Sequence, residues 1–435
     1  MRRLCRLQTA DIHGGLPAAT EIAAIYYGNY LAGLSFFLGF ASGTVHLHSR
    51  GIFLREQIVD FGASRAEISV AFSVATAAGA LFAPLLGYLL DRYPVRRAMI
   101  VGAIWMGAGF LVMSRVSTLV QFAVATALFV GLGTGSIGTT ASSKLMVDWF
   151  DRRRGLALSI AITGYSVAGI VMAPLALHLL EQLGWRNSYL LFGGVLLLLV
   201  LPLVTLLVRQ HPTPAGAARP EHPSNGLPRG SPLQVFLDFA RSPAFWIAAS
   251  IFGLMAAVYG GLNLHLFLHF TDRGISAWHA ASILSVEGAF ALGSKPLTGW
   301  AIDRYGARQA TVAALGGCLI ALLVLLATSS FLGALAAGAL LGLSFGSLIP
   351  LQAALLSRLF GAERFARAYG SLRLATFPLT VTCPLLIGYV HDLRGSYAAA
   401  FALFALLFAI ALIAAWLLGT RVRSQISDAV TAARE

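Results

Sequence analysis

Apolar runs of about 20 residues recur along this chain, the length an α-helix needs to cross a bilayer. They are continuous rather than alternating, which predicts helices and not barrel strands. Only 11% of the 435 residues are charged, far below the roughly 25% of soluble domains. Mean hydropathy is +0.77, and a polytopic all-α membrane protein is expected. A formal net charge of +13 would suggest nucleic acid in a soluble protein. Here the basic residues sit between the runs, where they set orientation, so no nucleic-acid partner is expected. Cys5, Cys318 and Cys383 lie far apart and form neither a disulfide framework nor a metal pattern. No apolar core with a cleavage site directly follows the basic start MRRLCRLQTADIHGG, so the first span is expected to be retained.

Twelve spans are predicted, at roughly 24–48, 66–90, 97–115, 119–145, 155–180, 188–208, 243–269, 277–302, 309–329, 331–355, 366–390 and 397–419. Between the sixth and seventh lies RQHPTPAGAARPEHPSNGLPRGSPLQ, which is too poor in apolar residues to bury a core. The expected division is a bundle at 1–208, a cytoplasmic linker at 209–242, a bundle at 243–420 and a tail at 421–435. With the N-terminus inside, inner segments hold 21 Arg and outer segments seven, Arg50, Arg55, Arg65 and Arg273 among them. That bias predicts both termini in the cytoplasm.

An internal repeat supports six spans on either side of the linker. GYLLDRYPVRR begins at Gly87 and GWAIDRYGARQ at Gly299, 212 residues later. Gly87, Asp91, Arg92, Tyr93 and Arg96 recur in register as Gly299, Asp303, Arg304, Tyr305 and Arg308. Each copy follows the second span of its half. Parallel halves with a site near the midplane between them are a transporter architecture.

The repeated G-x-x-x-D-R-x-x-x-R loop resembles the signature loop of the major facilitator superfamily, and the resemblance covers the whole chain. It implies two pseudo-symmetric six-helix bundles. Within the superfamily, four stretches look like the monocarboxylate transporter family and its bacterial relatives, including oxalate–formate-type exchangers. They are GIFLREQIVDFGASRAEIS (51–69), WFDRRRGLALSIAITGYSVAGIVMAPL (149–175), the 259–309 segment, and LFGAERFARAYGSLR with PLLIGYVHDLRGSY (359–397). In the superfamily the repeated loop latches the cytoplasmic side, which implies gating roles for Gly87, Asp91, Arg92, Arg96, Gly299, Asp303, Arg304 and Arg308. Asp–Arg pairs at helix ends suit such a latch through charge-assisted contacts.

The candidate chemistry gathers in the second half. An ionisable residue inside a span costs about 2.5–3.5 kcal/mol on insertion scales, so it is a functional candidate. Lys is rare here: only Lys144 and Lys295 occur beside 29 Arg. Lys295 falls about 9 Å past the centre of its span, and Arg373 at a similar depth of another. Two cations at one level could hold a carboxylate. SKPLTGWAIDR resembles the family's eighth helix, where an Arg followed by Pro receives the substrate carboxylate; Lys295-Pro296 stands there. Lys lacks the bidentate fork of Arg. Glu287 lies about 12 Å and 80° from Lys295 on the same helix, too far for a direct ion pair. The lactate-carrying members place an Asp where this chain has Ala291, and Glu287, one turn away, is the expected substitute as proton carrier. The resemblance adds His265 beside the substrate, with Asn263 as a weaker neighbour, and His48 near a proton-accepting Lys of the lactate carriers. Tyr165 is expected to face the cavity. Gly131, Gly133, Gly135, Gly138, Gly164 and Gly169 are expected to let helices approach closely. His46, His178, His269 and His391 are expected to be interfacial.

The expected function is secondary transport of small organic anions, monocarboxylates foremost, coupled to protons and working by alternating access. The expected partners are the anion, the proton and the lipid bilayer, with a monomer in a bacterial inner membrane. An efflux carrier for drugs or metabolites, or a transporter-like sensor, is the alternative. An enzyme is not expected, nor a cofactor, because no metal cluster, phosphate-binding loop or nucleophile–base pair can be read.

Overall fold

A computed structural model describes residues 19–43, 47–150, 154–208, 232–361, 364–413 and 415, and the described residues are overwhelmingly helical. In order they form α1 (Ala19–Gly43), α2 (Arg50–Phe61), α3 (Arg65–Arg92), α4 (Val95–Met113), α5 (Leu119–Ala125), α6 (Leu132–Ile137), α7 (Thr139–Trp149), α8 (Arg154–Val195) and α9 (Leu201–Leu207). After the linker come α10 (Pro232–Ala240), α11 (Pro243–Asp272), α12 (Ala277–Tyr305), α13 (Ala307–Ala327), α14 (Phe331–Gly346), α15 (Leu348–Phe360) and α16 (Phe365–Arg394). The last described helix, α17, is Ala398–Ile413. The membrane face on which α9 ends and α10 begins is called the linker end, and the opposite face the far end.

Eight stretches among the described residues are long and apolar enough to cross a membrane. One of them, 156–207, bends at Gly184, whose φ of 73° only glycine adopts without strain, and so makes two crossings. α1 also falls outside the eight, as do α12, whose hydropathy Glu287 and Lys295 lower, and α17, which is short. Twelve crossings are consistent with this trace.

Two expectations are corrected. The stretch after the first span does not run as a loop: residues 47 and 48 are helical, and the chain continues from Arg50 as a second helix that runs to Phe61. Gly62 closes α2 in the left-handed conformation, its N–H bonded back to Ile58 and Val59 carbonyls. Arg50 is therefore no loop cation, and it is buried. The expected linker is also not irregular throughout. Its last part folds as α10, where Phe236 and Phe239 recur at helical spacing and pack on Phe245 and Phe360. Residues 209–231 and 421–435 lie outside the described residues.

Within lipid, helices gain little by hiding apolar surface from one another, so close contact of small residues matters more. α1 and α8 show this. A Cβ on Gly164 would sit 1.8 Å from the Phe36 carbonyl oxygen, and one on Gly39 would sit 2.8 Å from the Ala161 carbonyl oxygen. The Gly131 backbone likewise lies against Ala75 and Gly79 of α3, inside a π-helical turn at Thr126–Gly131. Gly164→Ala is expected to lower stability by about 1–3 kcal/mol through overpacking. Gly194→Ala, where a Cβ meets open space, should be close to neutral. Thermal unfolding of the two detergent-purified variants compares them.

Candidate functional site

The central contact between the two halves is the crossing of α8 and α12. It exists because α12 presents small residues there. A Cβ on Gly288 would fall 2.6 Å from the Gly169 backbone, and Ser285 Oγ donates to the Ile170 carbonyl at 2.7 Å. On its other side α12 is pressed by α14, since Gly342 leaves room only for the Glu287 carbonyl. The crossing brings the ionisable residues of α12 against the first half. Lys295 Nζ, half-buried, donates to Ser166 Oγ of α8. Glu287 is buried, and Tyr259 of α11 lies within electrostatic reach of it.

The other candidates surround this crossing. His48 lies over Gly169, and its ring meets Tyr165 edge-on with centroids 5.8 Å apart. Tyr165 is set by α1, because Gly43 leaves room for its ring. Arg373 is exposed on α16 and within electrostatic reach of Tyr165. Asn263, about one turn beyond Tyr259, turns its backbone toward Gly51 of α2, and its Oδ1 is buried without a partner among the described residues. Lys295, Glu287, Tyr165, His48 and Arg373 are thus brought together.

His265 is placed elsewhere, roughly 16 Å nearer the far end than Lys295 by helical rise. Its Nε2 lies 3.0 Å from the Pro384 carbonyl and 3.1 Å from Ser69 Oγ, and its Nδ1 lies 3.3 Å from the Tyr397 hydroxyl. A carbonyl only accepts, so Nε2 carries the proton and Nδ1 accepts from Tyr397. Both ring nitrogens are engaged in tying α3, α11 and α16 together.

Above His265 the far end is closed by charges from both halves. Asp272 of α11 accepts from Arg65 at 2.6 Å and from Arg55 at 3.1 Å, and His391 approaches it at 3.8 Å. Arg65 also donates to Tyr397. The Asp392 carboxylate of α16 accepts from the Arg65 and Ala66 backbone N–H groups at 3.2 and 2.8 Å. It thereby caps α3, where a negative charge meets the helix dipole favourably. Ser64 and Glu67 complete that N-terminus as a capping box. His269, expected at the interface, is instead buried against Phe401.

The linker end differs. Gly87 and Gly299 meet no atom within 4 Å of an added Cβ, and Arg92, Asp303 and Arg304 are exposed. The repeated loops bond within their own halves: Arg92 to Tyr88 at 2.7 Å, Arg96 to the Thr205 carbonyl at 2.5 Å, and Arg308 to the Ala415 carbonyl at 3.3 Å. The side chain of Asp91 lies outside the described residues. Among the described residues, the charged contacts that join the two halves gather at the far end, and the repeated loops show none between the halves.

Two features escaped the sequence reading. The lock on Asp272 joins residues 207 and 217 positions apart, which no local pattern announces. Arg50, counted there as an orientation charge, is buried at the interface; a charge just before an apolar amphipathic stretch was the only signal. Among the described residues no group of His, Cys, Asp and Glu could hold a metal.

Comparison with known proteins agrees with this fold. The family model of the Major Facilitator Superfamily matches residues 22–331 and 283–433. Human Monocarboxylate transporter 11 is 27% identical over 370 residues, covering 82% of this chain and 76% of the relative. Rat Monocarboxylate transporter 4 is 25% identical, covering 73% of this chain and 68% of the relative. The MFS-type transporter YcxA of Bacillus subtilis (strain 168) is 26% identical over 68% of this chain and 72% of its own length. Among solved structures, an inward-facing, occupied bacterial homolog of the human lysosomal transporter Spinster superposes with a TM-score of 0.71. It is 17% identical and covers 91% of this chain and 97% of its own, a likeness of fold.

Proposed function

The chain belongs to the major facilitator superfamily, and from that premise we propose that it carries small organic anions, monocarboxylates foremost, with protons and by alternating access. The observation that carries the reading is Lys295: a lysine inside a span, held half-buried where the two halves cross. A cation in that place attracts an anion into a path both halves line. Relatives named as monocarboxylate transporters support the same class of substrate. In this reading Lys295 and Arg373 face the carboxylate, Tyr165 and Asn263 line its path, and His265 supports it from the far end. Glu287 and His48 are the proton carriers. The duplicated loop, with Asp91 and Asp303, latches the linker end when the far end opens. The bundles are 1–208 and 243–420, both termini are cytoplasmic, and the protein works as a monomer in the inner membrane.

Uptake of radiolabelled lactate, pyruvate or acetate into proteoliposomes tests the proposal. An inward proton gradient should stimulate uptake severalfold. No gradient-driven uptake across a broad acid panel would contradict it. Glu287→Gln should uncouple the carrier: exchange of labelled for unlabelled acid persists, while stimulation by the gradient is lost. Equal stimulation in that variant would remove Glu287 from proton coupling.

A further inference from the structure

Among the described residues, Arg50 is the most thoroughly buried cation between the two halves, with a relative exposure of 6%. It opens α2, the helix that follows α1, and the Ser49 side chain makes no capping bond there. Its Nη2 donates to the Gly260 carbonyl of α11 at 3.3 Å, a long bond to a neutral acceptor in the other half. The Phe72 ring lies 5.9 Å away, and Tyr165, Tyr189 and Tyr259 stand within electrostatic reach. Its Nε is buried with no hydrogen-bond partner. Among the described residues no carboxylate lies within ion-pair distance of it.

A guanidinium so placed is poorly compensated. Buried charges in proteins are ordinarily paired, and Arg is suited to carboxylates because its fork donates two parallel bonds. Here Nε, one arm of the side-on edge, is unused. The helix N-terminus beneath it adds the positive end of a dipole, and broken helices use such ends toward anionic substrates. Tyr165 and Tyr259 offer hydroxyls, and Phe72 a wall without charge. Gly51 keeps α2 in contact with the Asn263 and Leu264 carbonyls, so Arg50 cannot withdraw from the interface without opening it.

We propose that Arg50 is an anion-binding residue of the transport site, receiving the substrate's carboxylate from the first half while Lys295 faces it from the second. The proposal rests on the carrier reading and deepens it. A carboxylate on Nε binds a residue of the first half that already touches the second, so occupancy bears on both halves. A ligand shifts a conformational equilibrium only through such differential contacts.

The test is uptake kinetics in proteoliposomes, with the best-transported acid among lactate, pyruvate and acetate. Arg50→Gln should raise KM at least about tenfold, the scale of a lost charge-assisted contact. Arg50→Lys, which keeps the charge without the fork, should fall between Arg50→Gln and wild type. A purely structural role would lower Vmax or thermal stability and leave KM within twofold, and that result overturns the proposal. Should Arg50→Gln not fold, Arg50→Lys decides: a severalfold rise in KM supports the assignment, and an unchanged KM overturns it. A wild-type protein inert to every acid overturns the carrier reading itself, and this inference with it.

Discussion

Lys295→Gln should reduce carboxylate uptake at least tenfold while leaving the protein folded. A charge-assisted hydrogen bond contributes about 1.5–3 kcal/mol, which is roughly ten- to hundredfold in affinity. The fold should survive because the bond seen in the structure joins Lys295 to a neutral hydroxyl, that of Ser166, which glutamine can also engage. The α8–α12 crossing itself rests on Gly288 and on the Ser285 bond, neither of which the substitution touches. Lys295→Arg keeps the charge and presents it as a planar fork instead of a point charge, so it should retain transport with an altered order of preference among acids. Uptake kinetics on size-exclusion-homogeneous protein checks both. Wild-type rates in Lys295→Gln would remove this residue from the site.

Asp272→Ala should open the far end. Asp272 of the second half is shared by Arg65 and Arg55 of the first, and its loss leaves two neighbouring guanidinium groups of the first half without their partner across the halves. Arg55 is 54% exposed, so its share is small and screened. Arg65 is 16% exposed and also bound to Tyr397, so most of the effect comes through it. A loss of about 1–2 kcal/mol from the far-end-closed state shifts the equilibrium about 5–30-fold. Ser73 provides the readout. It lies buried one turn beyond Ser69, on the face that meets His265. In a background free of native cysteines, Ser73→Cys should react with a bilayer-impermeant maleimide about tenfold faster when Asp272→Ala is added. An unchanged rate would show that the Asp272 cluster does not hold this end closed.

The parts legible in the sequence are those written in local or repeated patterns. Apolar length gave away the spans, because lipid demands continuous apolar helices. The duplicated Gly–Asp–Arg–Tyr–Arg set revealed two matching halves, because five identities in register are hard to mistake. Lys295 and Glu287 stood out because charge inside a span is costly. The rest depended on pairings without local trace. α2 opens at Arg50 with no proline to announce it, so Arg50 read as part of an outer segment. The contact of Arg65 with Asp272 requires the two halves to be docked, as does the cap that Asp392 provides for α3. His265 was noticed for its position in the chain, yet its partners come from α3, α16 and the turn that follows α16.

The most direct measurement is ligand-dependent thermal stability of the purified wild-type protein, since a ligand that binds the folded state raises its midpoint by mass action. Lactate, pyruvate and acetate would each be titrated beside the corresponding uncharged amide. Carriage of small organic anions predicts a concentration-dependent rise for at least one acid and none for its amide. Equal shifts with acid and amide, or no shift with any acid, would contradict it.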